Sequence, residues 1–248
     1  MGRFAPSPSG RMHLGNDFAA LMAWLGARSR GGSVVMRVED LDPRCQAPGR
    51  AEAIMDDLRW LGLDWDEGPG VGGDHGPYKQ AERLGIYREA AERLVAEGRA
   101  YPCFCTPEQL EADREAARER KDPFQGYQGR CRDLDPDEAR RRIEAGEPHV
   151  LRIKVPRDRG DVVVRDAVHG EVTFNARELD DFVIVRSDGT PTYNFCTVVD
   201  DALMGITHVI RGDDHLSNTP RQVLVYEALG AEVPLFAHLP MILGPDGH

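Results

Sequence analysis

The order of strand and helix patterns over residues 2–62 constrains the fold more than any other feature of this chain. A short strand at the N-terminus runs into a turn rich in Gly and Pro. The helix after it carries apolar side chains on one face, at Phe18, Leu21, Met22 and Leu25. Residues 34–38 read as a buried strand, and a second helix runs from about Pro48 to Gly62. A β-α-β-α order predicts a parallel sheet with helices packed on it, and ligands bind such sheets beyond the carboxyl ends of the strands.

The turn after the first strand is a candidate phosphate site. Residues 3–16 read RFAPSPSGRMHLGN. Gly10 and Gly15 allow the backbone to approach a ligand closely, and the following helix directs its positive end at an anion. An imidazole, His13, lies within the same turn. An ordinary loop before a helix is the alternative, and Arg3 and His13 at these offsets argue against it.

Polar side chains at the ends of other strands extend this site. Arg3 and Arg211 over one pocket would suit a ligand with two carboxylates, because each guanidinium can form a bidentate pair. Glu39 could meet an ammonium group, and Tyr193 could offer a hydroxyl. The alternatives are a local ion pair between Arg211 and Asp213, a surface role for Glu39 and a core role for Tyr193. An amino acid with a side-chain carboxylate would satisfy all four groups.

The pattern changes after residue 98. Cysteines appear, followed by two highly charged helical stretches, and we expect a smaller α+β domain over about 99–190. Short strands are predicted there at residues 151–155, 162–164 and 172–174. We expect the parallel sheet to resume at 182–185, followed by a helix within 191–204 and a strand at 207–211.

Composition bounds the class of protein. A chain of 248 residues suits one large domain or two modest ones. No apolar run approaches the ~20 residues that a membrane span needs, and no secretory signal is visible. Five cysteines are an odd number, which argues for a reducing compartment. A net charge of -11 disfavours a nucleic-acid binder without excluding one, because local basic patches remain.

Several segments together resemble one family, the glutamyl-tRNA synthetases and their shortened glutamyl-Q relatives. They are residues 3–16, VEDLD at 38–42, WLGLDWDEG at 60–68, GPY at 76–78, SDGTPTYNF at 187–195 and VIRGDDH at 209–215. The resemblance covers nearly the whole chain. It implies an α/β fold: a Rossmann-like nucleotide-binding domain in two halves, 1–98 and 191–248, with 99–190 as an inserted domain that binds the acceptor end of tRNA.

The same resemblance implies the ligands and the roles of individual residues. Glutamate would be held by Arg3, Ala5, Ser7, Glu39, Tyr193 and Arg211. ATP would be held by Pro8, Gly10, His13, Gly15, Asn16 and Asp213, with His13 as the catalytic residue. The position of Asn16 varies in the family, so one phosphate contact is expected to differ.

The implied reaction is adenylate formation. The glutamate carboxylate attacks the α-phosphate of ATP, pyrophosphate leaves, and the glutamyl group then passes to tRNA. The protein positions the reactants and stabilises charge on the phosphates, which Mg²⁺ would bridge. We expect a cytoplasmic monomer with glutamate, ATP and tRNA as its partners and no membrane association.

Three cysteines form a second candidate site. A structural zinc ion needs four ligands, and Cys103, Cys105 and Cys131 supply three. The spacing resembles the zinc site of the glutamyl-Q enzymes, in which a tyrosine, here Tyr127, is the fourth ligand. Asp133 stands where zinc-bearing full-length glutamyl synthetases have a histidine, and it could also ligate. Three reduced thiols without a metal are the alternative.

The chain also departs from the family pattern. It ends one residue past the Gly-Pro-Asp-Gly turn at 244–247, before the lysine-serine-lysine loop of the family. We therefore expect a fragment that binds glutamate and ATP but forms adenylate weakly or not at all. Residues 41–44, 48–49 and the cysteine spacing favour a glutamyl-Q enzyme that modifies tRNA(Asp). Residues 190–195 and 213–222 favour an ordinary glutamyl-tRNA synthetase for tRNA(Glu). An inactive paralogue that binds amino acid or RNA is a third reading.

Overall fold

A computed structural model describes residues 1–242, apart from the side chain of Arg177. The turn predicted at 244–247 lies outside the described residues. The helices are α1 (Leu14–Arg28), α2 (Arg50–Trp60), α3 (Leu84–Ala96), α4 (Pro107–Glu119), α5 (Pro136–Glu144), α6 (Tyr193–Leu203) and α7 (Thr219–Leu229). The strands are β1 (Gly2–Phe4), β2 (Val34–Met36), β3 (Ala100–Cys103), β4 (Val150–Ile153), β5 (Val162–Asp166), β6 (Gly170–Phe174), β7 (Val183–Val185), β8 (His208–Gly212) and β9 (Leu235–Leu239).

A mostly parallel sheet of six strands forms the centre of the molecule. Its order is β2-β1-β8-β9-β5-β6, and each neighbouring pair is parallel except β5 with β6, which form an antiparallel hairpin. Helix α1 packs on β1, β2 and β8, and α7 packs on β5. The predicted α/β class with a parallel sheet is therefore confirmed.

A second sheet contains β3, β4 and β7 in antiparallel pairs. The prediction that the parallel sheet resumes at 182–185 is wrong, because Val183 and Val185 pair with β4 instead. The amide of Ile153 also donates to the carbonyl of Phe182 at 3.1 Å. A short apolar run has no feature that identifies its partner strand, so the sequence could not show which sheet it joins.

The strands of the middle segment are divided between the two sheets. Strand β5 lies beside β9 in the six-stranded sheet, with Asp166 paired to Phe236, and β6 follows it at the edge. The hairpin thus adds to the larger sheet two strands that were expected to belong to the smaller α+β domain at 99–190. The domain boundaries at 99 and 190 stay a prediction.

Apolar side chains fill both faces of the larger sheet. One cluster lies among α3, α6, α7 and the sheet and includes Leu94, Phe195 and Val225. A second lies among α1, α2 and β2 and includes Ala20 and Ile54. Burial of these side chains supplies most of the stabilisation that fixes the strand ends. Within residues 1–242, no helix combines the length and the apolar character that crossing a membrane requires.

Candidate functional site

A cavity of about 600 Å³ opens at the carboxyl ends of β1 and β8. Ten of the residues predicted for the glutamate and ATP sites line it: Arg3, Ala5, Ser7, Gly10, His13, Gly15, Asn16, Glu39, Tyr193 and Arg211. Of the residues that the structure describes, Pro8 and Asp213 are predicted site members that do not line the cavity. Asp214, next to Asp213 in the sequence, does line it. The ligand roles of all these residues stay predictions.

Strand register brings the two predicted arginines to one face of the sheet. Gly2 of β1 pairs with His208 of β8 in a parallel arrangement. Arg3 lies one residue beyond this pair and Arg211 three residues beyond it on the neighbouring strand. Side chains alternate between faces along a strand, so the two guanidinium groups project to the same side. Both are only 5% exposed.

Within residues 1–242, no carboxylate pairs directly with the guanidinium of Arg211. Its Nε donates to Nε2 of His238 at 3.1 Å, and its Nη2 donates to Oγ1 of Thr219 at 2.9 Å. Its Nη1 is buried and has no hydrogen-bond partner among the described residues. The suggested local pair with Asp213 is therefore absent from the described part of the chain. Burial lowers the pKa of Arg211 below its ordinary value.

Arg3 has an acidic partner that the sequence did not reveal. Its Nε lies 3.4 Å from Oδ1 of Asp201 on α6. The same carboxylate accepts from Nη1 of Arg37 at 2.7 Å, and Arg37 is fully buried under the cavity. Nη2 of Arg37 donates to Oε1 of Glu39 at 3.2 Å. The signal in the sequence was a pair of adjacent acids, Asp200 and Asp201, in an otherwise apolar helix.

Asp200 anchors the other side of this network. Its carboxylate accepts from Nε of Arg83 at 2.7 Å, from Nε2 of Gln80 at 2.8 Å and from the hydroxyl of Tyr87 at 2.9 Å. Its Oδ2 also lies 3.4 Å from Nε of Arg37. The side chains in direct contact here are those of Arg37, Arg83, Glu39, Asp200 and Asp201, with Arg3 at the edge of the cavity. Arg211 lies at the same cavity and is in direct contact with none of these carboxylates, so it presents a charged donor to which an anion can bind.

Glu39 and Tyr193 face the cavity with opposite hydrogen-bonding character. Burial raises the pKa of Glu39, while the nearby Arg37 and Arg3 act in the opposite direction. Its Oε1 also accepts from the hydroxyl of Thr197 at 3.1 Å. Burial, and then the charge of Glu39, raise the pKa of Tyr193, so its phenol stays protonated and can donate. Sequence reasoning missed His215, whose Nδ1 lies 3.3 Å from the Tyr193 hydroxyl.

The N-terminus of α1 opens into the same cavity. His13 is the N-cap residue, with extended backbone, and its side chain makes no capping hydrogen bond in the described structure. Gly15 lies so close to the imidazole that a Cβ there would stand 3.2 Å from its ring atoms. Unpaired amides at a helix N-terminus, with a positive helix dipole, form a site that suits phosphate.

The three predicted cysteines meet in space. The sulfurs of Cys103, Cys105 and Cys131 all lie within 4.8 Å of one another, and none is in a disulfide. Hydrogen bonding to Cys131, and then to Tyr127, lowers the pKa of Cys103 to about 4. Sulfurs that surround one zinc ion at about 2.3 Å lie ~4 Å apart, which this spacing matches.

The two candidates for the fourth zinc ligand, Tyr127 and Asp133, make contacts in different places. The hydroxyl of Tyr127 lies 3.4 Å from Sγ of Cys103 and accepts from the amide of Cys131 at 2.8 Å. Asp133 is exposed, and its carboxylate pairs with Lys154 at 3.5 Å and Arg157 at 3.7 Å. Tyr127 therefore lies against the thiol cluster, and Asp133 is engaged elsewhere.

Curated proteins similar to this chain include two kinds of enzyme. Glutamate–tRNA ligase 2 of Rubrobacter xylanophilus is 52% identical over 244 residues, which are 98% of this chain and 49% of that protein. Glutamyl-Q tRNA(Asp) synthetase of Symbiobacterium thermophilum is 51% identical over 246 residues, which are 99% of this chain and 76% of that protein. The chain spans about half the length of the glutamate–tRNA ligases that it matches.

Solved structures and a family profile agree with these similarities. The crystal structure of a glutamate tRNA ligase from Elizabethkingia meningosepticum, in complex with its amino acid, has a TM-score of 0.89 and 41% sequence identity. The match covers 99% of this chain and 50% of that one. The profile described as "tRNA synthetases class I (E and Q), catalytic domain" matches residues 1–248. This chain therefore belongs to the class I tRNA synthetase family, E and Q type, and represents its catalytic domain.

Proposed function

We propose that this chain supplies the glutamate and ATP sites of an enzyme that activates glutamate with ATP and transfers the glutamyl group to tRNA. The observation that carries the proposal is the pair of buried arginines on neighbouring strands. One of them, Arg211, has a terminal nitrogen without a hydrogen-bond partner among residues 1–242. Two guanidinium groups at one cavity bind a dicarboxylate amino acid more strongly than a neutral one. Similar curated proteins named glutamate–tRNA ligase support the same choice of amino acid.

The carboxyl and ammonium groups of glutamate find complementary partners in this cavity. Arg211 offers Nη1 to one carboxylate, and Arg3, which shares Asp201 with Arg37, is available to the other. Glu39 faces the ammonium group, and the protonated hydroxyl of Tyr193 donates to a carboxylate oxygen. Ala5 and Ser7 line the wall between them.

ATP would occupy the end of the cavity at α1. The backbone of Gly10 and Gly15 meets the phosphates, and Asn16 reaches them with its side chain, because its amide donates to the carbonyl of His13 at 2.8 Å. His13 donates to the phosphates as charge develops during attack. Mg²⁺ would supply further neutralisation of the phosphates when bound. The chain itself contributes position and electrostatic stabilisation, because glutamate and the α-phosphate must be held in line.

We infer that the cysteine cluster holds a structural zinc ion through Cys103, Cys105, Cys131 and Tyr127. The sulfur spacing and the position of the Tyr127 hydroxyl support this set, and the salt bridges of Asp133 argue against its participation. Zinc would fix the segment after β3 against the loop at 127–131. Reduced cysteines also support a cytoplasmic location. We also propose that the protein is a monomer.

The second candidate is glutamylation of tRNA(Asp), as in the glutamyl-Q enzymes. One observation favours it: the tyrosine lies at the thiol cluster, as the resemblance to the glutamyl-Q zinc site implies. Activation of glutamate is common to both candidates, so the amino-acid site does not separate them.

The test is to measure transfer of labelled glutamate by the protein to tRNA(Glu) and to tRNA(Asp) in parallel. Labelling of tRNA(Glu) alone supports the first candidate, and labelling of tRNA(Asp) alone supports the second. R211Q should abolish transfer to either, because it removes the unpaired charge. The control R59Q changes an exposed arginine whose partner is Asp56, and it should transfer normally. Binding of neither glutamate nor ATP in calorimetry would refute the proposal and favour a paralogue without activity.

A further inference from the structure

A row of three buried side chains crosses the sheet behind the amino-acid cavity. Arg211 of β8 pairs in register with His238 of β9. Asp166 of β5 pairs with Phe236, two residues before His238, so all three side chains share one face. Nδ1 of His238 lies 2.6 Å from Oδ2 of Asp166, and its Nε2 accepts from Nε of Arg211 at 3.1 Å. Only the arginine lines the cavity.

Backbone hydrogen bonds fix the carboxylate at the far end of this row. Oδ1 of Asp166 accepts from the amides of Val168 at 2.9 Å and His169 at 3.0 Å. Oδ2 accepts from the amide of His238 at 3.1 Å as well as from its ring. Burial acts to raise the pKa of Asp166, but these hydrogen bonds outweigh it and place the pKa below the ordinary value. Asp166 is therefore an ionised acceptor in a fixed position.

The fixed carboxylate determines which nitrogen of His238 carries the proton. Nδ1 must donate to Asp166, so Nε2 presents its lone pair to Arg211. A neutral acceptor orients the guanidinium without neutralising its charge. A carboxylate in the place of His238 would pair with Arg211 and compete with the carboxylate of the ligand. A neutral imidazole at position 238 therefore leaves the charge of Arg211 available to a ligand, which a carboxylate there would not.

We propose that Asp166 and His238 are positioning residues: they orient Arg211 and keep its charge available for the carboxylate of the amino acid. The inference rests on the proposed function, since it assumes that Arg211 binds glutamate. It also assigns a part of the amino-acid site to β5, which lies in the middle segment of the chain.

Three substitutions test the row. D166N keeps its oxygen on the two amides that hold Oδ1, so its NH₂ group faces the ring and the amide of His238, and that amide loses its acceptor. The ring proton then moves to Nε2, where it faces Arg211 and the hydroxyl of Thr219. H238F fills the same space without an acceptor. H238Q can offer an amide oxygen to Arg211 and an amide nitrogen to Asp166. The matched control is H208Q, on the opposite end of β8, where His208 contacts Thr207.

Calorimetry of glutamate and of ATP binding gives the readout, with circular dichroism to verify folding. We expect D166N and H238F to weaken glutamate binding about 10- to 100-fold while ATP binding stays within about 2-fold. H238Q should recover most of the affinity, and H208Q should bind both ligands normally. If H238Q recovers glutamate affinity and H238F does not, the hydrogen bond of His238 matters and not only the space that its ring fills. If H238F does not fold, the comparison of D166N with H238Q decides.

The outcomes separate this inference from the proposed function. Glutamate affinity that is unchanged in D166N and H238F overturns the inference alone, and so does an equal loss of ATP affinity, which would indicate a merely structural role. No glutamate binding by the unchanged chain overturns the proposed function and the inference with it.

Discussion

The buried carboxylate of Asp201 offers a sharp test of how charge is balanced under the cavity. It accepts from Arg37 at 2.7 Å and lies 3.4 Å from Arg3. The substitution D201N keeps the size of the side chain and one oxygen, but it removes the charge. Arg37 would then keep Glu39 and Asp200 as acidic partners, and Arg3 would lose the carboxylate that it contacts.

The expected loss in the free energy of unfolding depends on the acidic partners that the arginines keep in D201N. Removing one partner of a buried ion pair costs about 3–5 kcal/mol. Arg37 still contacts Glu39 at 3.2 Å and Asp200 at 3.4 Å, so we place the loss at the lower end, about 3 kcal/mol. In a chain of this length 1 kcal/mol shifts the melting temperature by roughly 2–4 °C, which gives a decrease of about 6–12 °C.

Thermal unfolding followed by circular dichroism measures this effect. The control is D56N on α2, where an exposed Asp56 pairs with Arg59 at 2.9 Å. Exposed ion pairs contribute little, so this variant should melt within about 2 °C of the unchanged chain. If D201N and D56N shift the melting temperature equally, the reasoning about the buried cluster is refuted.

Two further predictions concern the metal site and pH. Purified chain should contain about one equivalent of zinc by mass spectrometry; C131S should lose it and Y127F should weaken it, whereas D133N should retain it, and equal loss in D133N would contradict the ligand set. The pKa values of Asp166 and Asp201 lie below their ordinary range, so their contribution to stability is full above the unfolded pKa and is lost as pH falls through the folded one. The free energy of unfolding in urea should therefore fall from about pH 5 downward, and less steeply in D201N; a flat profile would contradict this.

The sequence predicted the part of the fold that depends on local pattern. Alternation of strands and helices gave the parallel sheet, and strand ends predicted that Arg3, Glu39 and Arg211 line one cavity. The cysteine spacing predicted that the three thiols meet. Each of these follows from periodicity, strand direction or a recognised motif, all of which are visible along the chain.

Pairing between distant strands could not be predicted in the same way. The run at 182–185 and the hairpin of β5 and β6 were recognised as strands, but their partners depend on packing that the local sequence does not encode. Strand β9 was missed, and with it His238, a single histidine in an apolar segment. Its role became visible only when register placed it opposite Arg211.

The place of β5 beside β9 bears on how proteins of this kind can be recombined. Segment exchange between relatives along the predicted boundaries would treat 99–190 as a removable module. Any exchange that includes Asp166 also transplants the group that holds His238, two strands from the cavity. A chimera with a foreign middle segment would therefore also change the hydrogen bonds that orient Arg211 at the cavity.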